Sequence, residues 1–275
     1  MIRIAVSTTV AALLAGVLSS DHPLAPAARA KLVVTSWEYT FEAPDSVQSG
    51  IVTVMLVNRG KAGHQVALAR LEDSSSMRRV MSTLVASKIR TTGIRWVGGV
   101  ENALPGTTSE ATLALPPGRY VLVCEYPDVD GHAHVSKGMI RPLIVVKGSS
   151  SSDTMLPAAR ATIHLSDYRI EVSSALVAGA QRVRVQNDGP HRHHLTVGRV
   201  VGRATLADID KWDGKSLPAP IEDIGAGAAV LDPGQASVIT LDLNAGRYLL
   251  ACVLSDTAES KPHYLLGMEK LLIVR

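Results

Sequence analysis

Residues 118–139 read GRYVLVCEYPDVDGHAHVSKGM, and residues 246–268 read GRYLLACVLSDTAESKPHYLLGM. Each stretch opens on Gly-Arg-Tyr and runs through an apolar segment to a cysteine, Cys124 or Cys252. Each then reaches His-x4-Met, with His134 and Met139 in the first and His263 and Met268 in the second. The match extends outward from there. Tyr39 and Tyr168, like Asn58 and Asn187, stand 129 residues apart, and Pro105-Gly106 precedes Pro233-Gly234 by 128. A register held across a whole unit with single-residue gaps is a duplicated domain.

Within each unit the patterns are short and strand-like. Residues 51–57 form a β-branched run closed by the turn signal Asn58-Arg59-Gly60, and residues 181–185 alternate Arg and Val before Asn187-Asp188-Gly189. Residues 111–115, 119–124 and 143–146 add strands divided by the Pro116-Pro117-Gly118 turn, and 271–274 closes the second unit. Several short strands between Gly/Pro turns indicate an all-β sandwich or barrel. One short helix per unit is expected, over about 77–88 and 206–212. The expected organisation is a leader over 1–30, unit one over 31–147, a Ser-rich linker over 148–158 and unit two over 159–275.

The leader reading rests on Arg3, the apolar run from Ile4 to about Leu18, and the small-residue site Ala28-Arg29-Ala30. It places the mature protein in the periplasm or outside the cell, without a stable membrane span. A retained N-terminal anchor is the alternative. In such an oxidising compartment, two cysteines can pair as a Cys124–Cys252 disulfide.

Composition narrows the function classes. With 46% hydrophobic and 19% charged residues the chain is globular, and its formal charge of +3 is spread out. Scattered basic residues and 4% aromatics argue against a nucleic-acid surface. The sequence has no Gly-x-Ser-x-Gly, His-Glu-x-x-His or Cys-x-x-Cys. Gly225-Ala226-Gly227 lacks a strand–helix crossover and reads as a turn. Trp96 and Trp212 read as packing residues.

The repeat also selects reactive residues. His64 aligns with His193, Cys124 with Cys252, His134 with His263, and Met139 with Met268. His132, His191 and His194 align with Lys261, Ala62 and Gln65, and so fail this test. His191 and His194 are expected to face solvent. One thiolate, two imidazoles and a weak thioether are the donor set of electron-transfer copper sites. The cysteine ends a strand, and His-x4-Met lies on the loop into the last strand. The other histidine follows a distant Asn-x-Gly turn.

The patterns Asn-x-Gly-x3-His, Gly-x-Tyr-x3-Cys and His-x4-Met before a terminal strand resemble the cupredoxin superfamily across both units. That resemblance implies two tandem Greek-key sandwiches, up to two mononuclear coppers, electron transfer and a redox partner protein. It implies Cys124, His64 and His134 as equatorial ligands with Met139 axial, and Cys252, His193 and His263 with Met268. The loop from cysteine to histidine is Cys-x9-His in unit one and Cys-x10-His in unit two. Oxidase or nitrite-reductase activity is disfavoured, because no histidine flanks either cysteine. A copper store or carrier, and a metal-free recognition module on the same scaffold, are the alternative functions.

Overall fold

The computed structural model describes residues 29–86, 92–148, 155–255 and 261–275. The leader expected over 1–30 lies almost wholly outside them, as do most of the Ser-rich linker and the end of the first expected helix.

Unit one contributes nine strands: β1 (Ala30–Trp37), β2 (Thr40–Glu42), β3 (Ser46–Gln48), β4 (Gly50–Asn58), β5 (His64–Leu71), β6 (Ile94–Ala103), β7 (Thr108–Leu115), β8 (Gly118–Val123) and β9 (Ile140–Val146). Unit two contributes eight: β10 (Ala161–Ser166), β11 (Arg169–Val172), β12 (Gly179–Asn187), β13 (His193–Val200), β14 (Ile221–Leu231), β15 (Ala236–Leu243), β16 (Gly246–Ala251) and β17 (Glu269–Val274). Two short helices complete the units, α1 (Met77–Val85) and α2 (Leu206–Asp210). The all-β reading is therefore the observed architecture.

The strands form two sheets, and both run through both units. One has the order β11-β10-β12-β15-β7-β4-β1-β2, the other β17-β16-β13-β14-β6-β5-β8-β9-β3. β15 pairs antiparallel with β7, and β14 with β6. At these seams Ile239 faces Ala111 and Ala228 faces Val100, each residue meeting its own counterpart at the repeat offset of 128. The sequence reading of two sandwiches divided by a linker leaves this pairing out. An unpaired strand edge is a row of open backbone donors and acceptors, and joining the units closes two edges on each.

Alternation along the strands builds the core. Leu32 and Val34 of β1, Val52, Val54 and Leu56 of β4, and Val66 and Leu68 of β5 turn inward between the sheets, with Leu195, Leu231 and Leu241 continuing the layer into unit two. The opposite face of β5 is buried as well. Ala67, Ala69 and Leu71 pack with Trp96, Val121 and Val123 beneath Val80 and Leu84 of α1. Those two helix residues are four apart and share one face. α1 starts at Ser76, whose side chain caps the Arg79 amide, and α2 starts at a Thr205–Asp208 capping box. α2 lies over Val200, Leu249 and Ala251.

Two sequence readings change. Gly225-Ala226-Gly227 is not a turn but part of β14, beside a register shift opposite Val197 and Gly198. Gly99 and Gly227 occupy equivalent places, with φ of +144° and +152°. A Cβ there would stand 2.0 Å from the carbonyl oxygens of Val66 and Leu195. Only glycine admits that approach. Trp96 is buried as expected, whereas Trp212 is only half-buried and donates its indole N–H to the Ser216 carbonyl.

Candidate metal centres

In each unit an asparagine fixes the approach to the first histidine. Asn58 donates to the carbonyls of Ala62 and Ala103 and accepts from the Gly60 amide. Asn187 does the same with His191, Leu231 and Gly189. This closed loop delivers His64 and His193 as the first residues of β5 and β13. The tight Asn-x-Gly geometry supplies the turn bonds that the backbone lacks there.

The other ligands come from a strand end and one loop. Cys124 follows β8, and its amide donates to the Met139 carbonyl at 3.2 Å. His134 opens a single 3₁₀ turn, His134–Lys137, that ends at Gly138 with φ +101°. The Met139 amide then returns to the His134 carbonyl. Unit two repeats every step: Cys252 bonds to Met268, the turn is His263–Leu266, and Gly267 has φ +103°. The left-handed glycine turns the chain so that the methionine returns beside the cysteine.

All eight side chains named from the sequence are buried, and the structure divides them into two sets. His64, Cys124 and His134 bring one ligand atom each to within 4.8 Å of one another, as do His193, Cys252 and His263. The histidine Nδ1 atoms stand 3.2 Å apart in both units. The cysteine sulfur is 3.5 Å from Nδ1 of the second histidine in both. An ion about 2.0 Å from each nitrogen and about 2.3 Å from a thiolate would leave trigonal ligands roughly 3.5 Å apart. The observed gaps fit such an ion. Met139 and Met268 are fully buried and lie on the same loops. A soft sulfur pair with two imidazoles selects copper over magnesium or calcium, which take oxygen.

Burial sets the charge of these groups. The thiols of Cys124 and Cys252 are pushed up to about 12 by desolvation, so each binds as a thiolate only by exchanging its proton for a metal. Desolvation pushes His64 and His193 down to about 4, assisted by the neighbouring His134 and His263 respectively. Both are neutral imidazoles at ordinary pH. Each cysteine is a free thiol seated in its own histidine set, so the Cys124–Cys252 disulfide is not formed.

The surroundings were only partly legible. Tyr39 and Tyr168, marked in the sequence as repeat positions, take φ of 62° and 60° and set their rings edge-on to His134 and His263. Asp167 holds His193 Nε2 at 3.0 Å and His191 at 2.7 Å. Its counterpart Glu38 bonds the Lys61 and Ala62 amides instead, and His64 Nε2 has no hydrogen-bond partner among the described residues. In unit one, Lys137 binds Asp128 at 2.5 Å and Asp130 at 2.7 Å, and Tyr39 donates to Asp128, clamping the ligand loop.

One expectation is overturned. His191 is exposed, but His194 is not: it is 3% exposed, with Nδ1 3.4 Å from the Cys252 sulfur. β13 is covered on both faces at this point, so two adjacent histidines are both enclosed. Its counterpart Gln65 takes a related place beside Cys124. The Gln65 amide donates to that sulfur at 3.3 Å, and its Oε1 accepts from the Glu125 amide. Gln65 Nε2 also donates to buried Glu101 at 2.7 Å, and the other Glu101 oxygen lies 3.7 Å from His194 Nε2. The clue to Glu101 was an acid inside the apolar run from Trp96 to Ala103.

No family model matches the chain, and no curated protein does. The chain has distant similarity to several solved structures. Reduced auracyanin from the photosynthetic bacterium Roseiflexus castenholzii is 21% identical over 42% of this chain and 96% of its own, with a TM-score of 0.31. Auracyanin A, a blue copper protein from Chloroflexus aurantiacus, is 16% identical over 42% of this chain and 98% of its own, with a TM-score of 0.30. A copper-containing nitrite reductase from Thermus scotoductus is 13% identical over 90% of this chain, which spans 60% of that protein, with a TM-score of 0.25.

Proposed function

We propose that the chain is an exported electron-transfer protein holding one mononuclear copper in each unit. The observation that carries this reading is the duplicated, buried Cys/His/His set, with the same nitrogen–nitrogen and nitrogen–sulfur distances in both copies. Bound copper would supply a one-electron couple between its cuprous and cupric forms.

The chain's own residues do the rest. Cys124 and Cys252 would give the thiolates, and the paired Nδ1 atoms of His64 with His134 and of His193 with His263 would give the imidazole nitrogens. Met139 and Met268, buried on the same loops, would add a thioether each. The ligands are fully or almost fully buried, which leaves no open position for a substrate and holds the set in one arrangement for both charge states. Electron transfer is favoured over catalysis for that reason, and because neither cysteine has a histidine neighbour to carry electrons to a second metal. The leader motif supports a periplasmic or secreted location. Among the described residues no helix is long and apolar enough to cross a membrane. A redox protein is the expected partner.

The test is a copper titration of the reduced mature protein, read by visible absorption and electron paramagnetic resonance. Two equivalents bound, with an intense thiolate-to-copper band and a reversible couple, are the expected result. Tight cuprous binding without a reversible couple would replace this reading with a copper store or carrier. No stoichiometric copper would leave a metal-free module.

A further inference from the structure

The two centres differ in how their cysteine sulfurs are held. Cys124 Sγ accepts the backbone N–H of Gln65 at 3.3 Å. Cys252 Sγ accepts the corresponding N–H of His194 at 3.5 Å and also faces His194 Nδ1 at 3.4 Å. Unit one has no counterpart to that second contact, because the Gln65 side chain turns away to Glu101 and the Glu125 amide.

Glu101 makes this difference more than local. It sits at a register irregularity in β6 opposite the stretch His64 to Val66, is 7% exposed, and reaches across the seam between the units. One carboxyl oxygen takes the Gln65 Nε2 hydrogen, and the other faces His194 Nε2. Burial, with Glu125 and Asp223 nearby, raises its proton affinity well above that of an ordinary glutamate, against the opposing Gln65 hydrogen bond. A metal-bound thiolate has no proton and can only accept, so the His194 nitrogen that faces the sulfur at 3.4 Å serves as a donor. The histidine then carries its own proton on Nδ1, directed at the Cys252 sulfur.

We propose that the His194 ring, placed beside Glu101 at the seam, gives the Cys252 thiolate an N–H donor that Cys124 lacks and makes the unit-two centre the more easily reduced of the two. This rests on the copper reading above. A donor to the thiolate draws electron density from the sulfur–copper bond and so favours the reduced form. At equilibrium, an electron delivered to the chain by an external one-electron reductant therefore favours unit two.

The test is a spectroelectrochemical titration of the copper-loaded full chain. The wild type should show two waves. Cys124→Ser should leave the higher wave and Cys252→Ser the lower, and coincident or reversed waves overturn the proposal. His194→Gln, which copies unit one, should move the higher wave toward the lower with both absorption bands retained. Glu101→Met, which touches no ligand and no sulfur, should do the same to a smaller extent. Glu101→Gln keeps a polar group facing His194 and should keep the separation. An unmoved upper wave in both His194→Gln and Glu101→Met, with copper still bound, sinks the proposal and leaves the electron-transfer reading standing. A wild type that takes up no copper fails both readings at once.

Discussion

Unit one and unit two place the same ligands at the same distances, yet they brace them differently. The shared features are those that build the plane: the asparagine-locked turn, the glycine after the 3₁₀ turn, and the tyrosine edge-on to the second histidine. The differences lie one step out. Unit one clamps its ligand loop with Lys137, Asp128 and Asp130, and leaves His64 Nε2 without a hydrogen-bond partner among the described residues. Unit two fixes His193 with Asp167 and encloses a third histidine against its sulfur. Duplication has kept what the donor geometry requires, while the supporting groups have diverged.

The sharpest way to break this comparison is to remove one thiolate at a time. Cys124→Ser and Cys252→Ser should each abolish one copper equivalent and about half of the thiolate-to-copper absorbance. Loss of all absorbance in only one of them would mean that a single unit binds copper. Next in size is a blow to the seam. Leu113 of β7 is fully buried, and Leu113→Ala should cost about 2–5 kcal/mol. Calorimetry should still show one unfolding transition, lowered as a whole. Two separated transitions would mean that the units unfold independently despite their shared sheets.

The supporting groups give smaller effects. Asp167→Ala removes the carboxylate that orients His193 and should weaken copper binding in unit two by about 10–100-fold, while unit one is unchanged. Glu38→Ala should leave His64 binding nearly untouched, since Glu38 bonds backbone amides instead. Equal losses in a competition with a copper chelator would contradict the difference.

Acid gives the gentlest test. In the metal-free protein, His64 and His193 sit at about 4 and His194 at about 3, against an ordinary 6.5, because burial disfavours their charged forms. The unfolded chain thus binds more protons below 6.5. Metal-free stability should be full above that pH and fall as pH drops toward 4. His194→Gln should flatten the curve, while an identical urea midpoint at pH 7 and pH 5 would argue against neutral buried histidines.

Much of this was readable from residue order. The clustered side chains were legible because Cys, His and Met follow one another closely, from Cys124 to Met139 and from Cys252 to Met268, and because the repeat singled out His64 and His193 upstream. The seam was not legible. Ala111 and Ile239 are apolar strand residues, and such residues look alike whether they face a neighbouring strand or end a sheet. His194 was misread because it aligns with Gln65 and so fails the repeat test, and only the packing on the far side of β13 encloses it. Glu101 was visible as an isolated charge among apolar neighbours, but nothing local named its partners 36 residues before and 93 residues after it.

The seam has one consequence for how the molecule can be made. Two identical chains docked along these edges would form a homodimer, and a twofold axis would apply every substitution to both halves. The counterpart of Glu101 at the repeat offset is Ala229, fully buried. A homodimer would have to carry a buried carboxyl on both sides or on neither, and that carboxyl could not lie between a glutamine from one half and a histidine from the other. Encoding both halves in one chain lifts that constraint. Covalent fusion is therefore what allows the two sites to be made unequal.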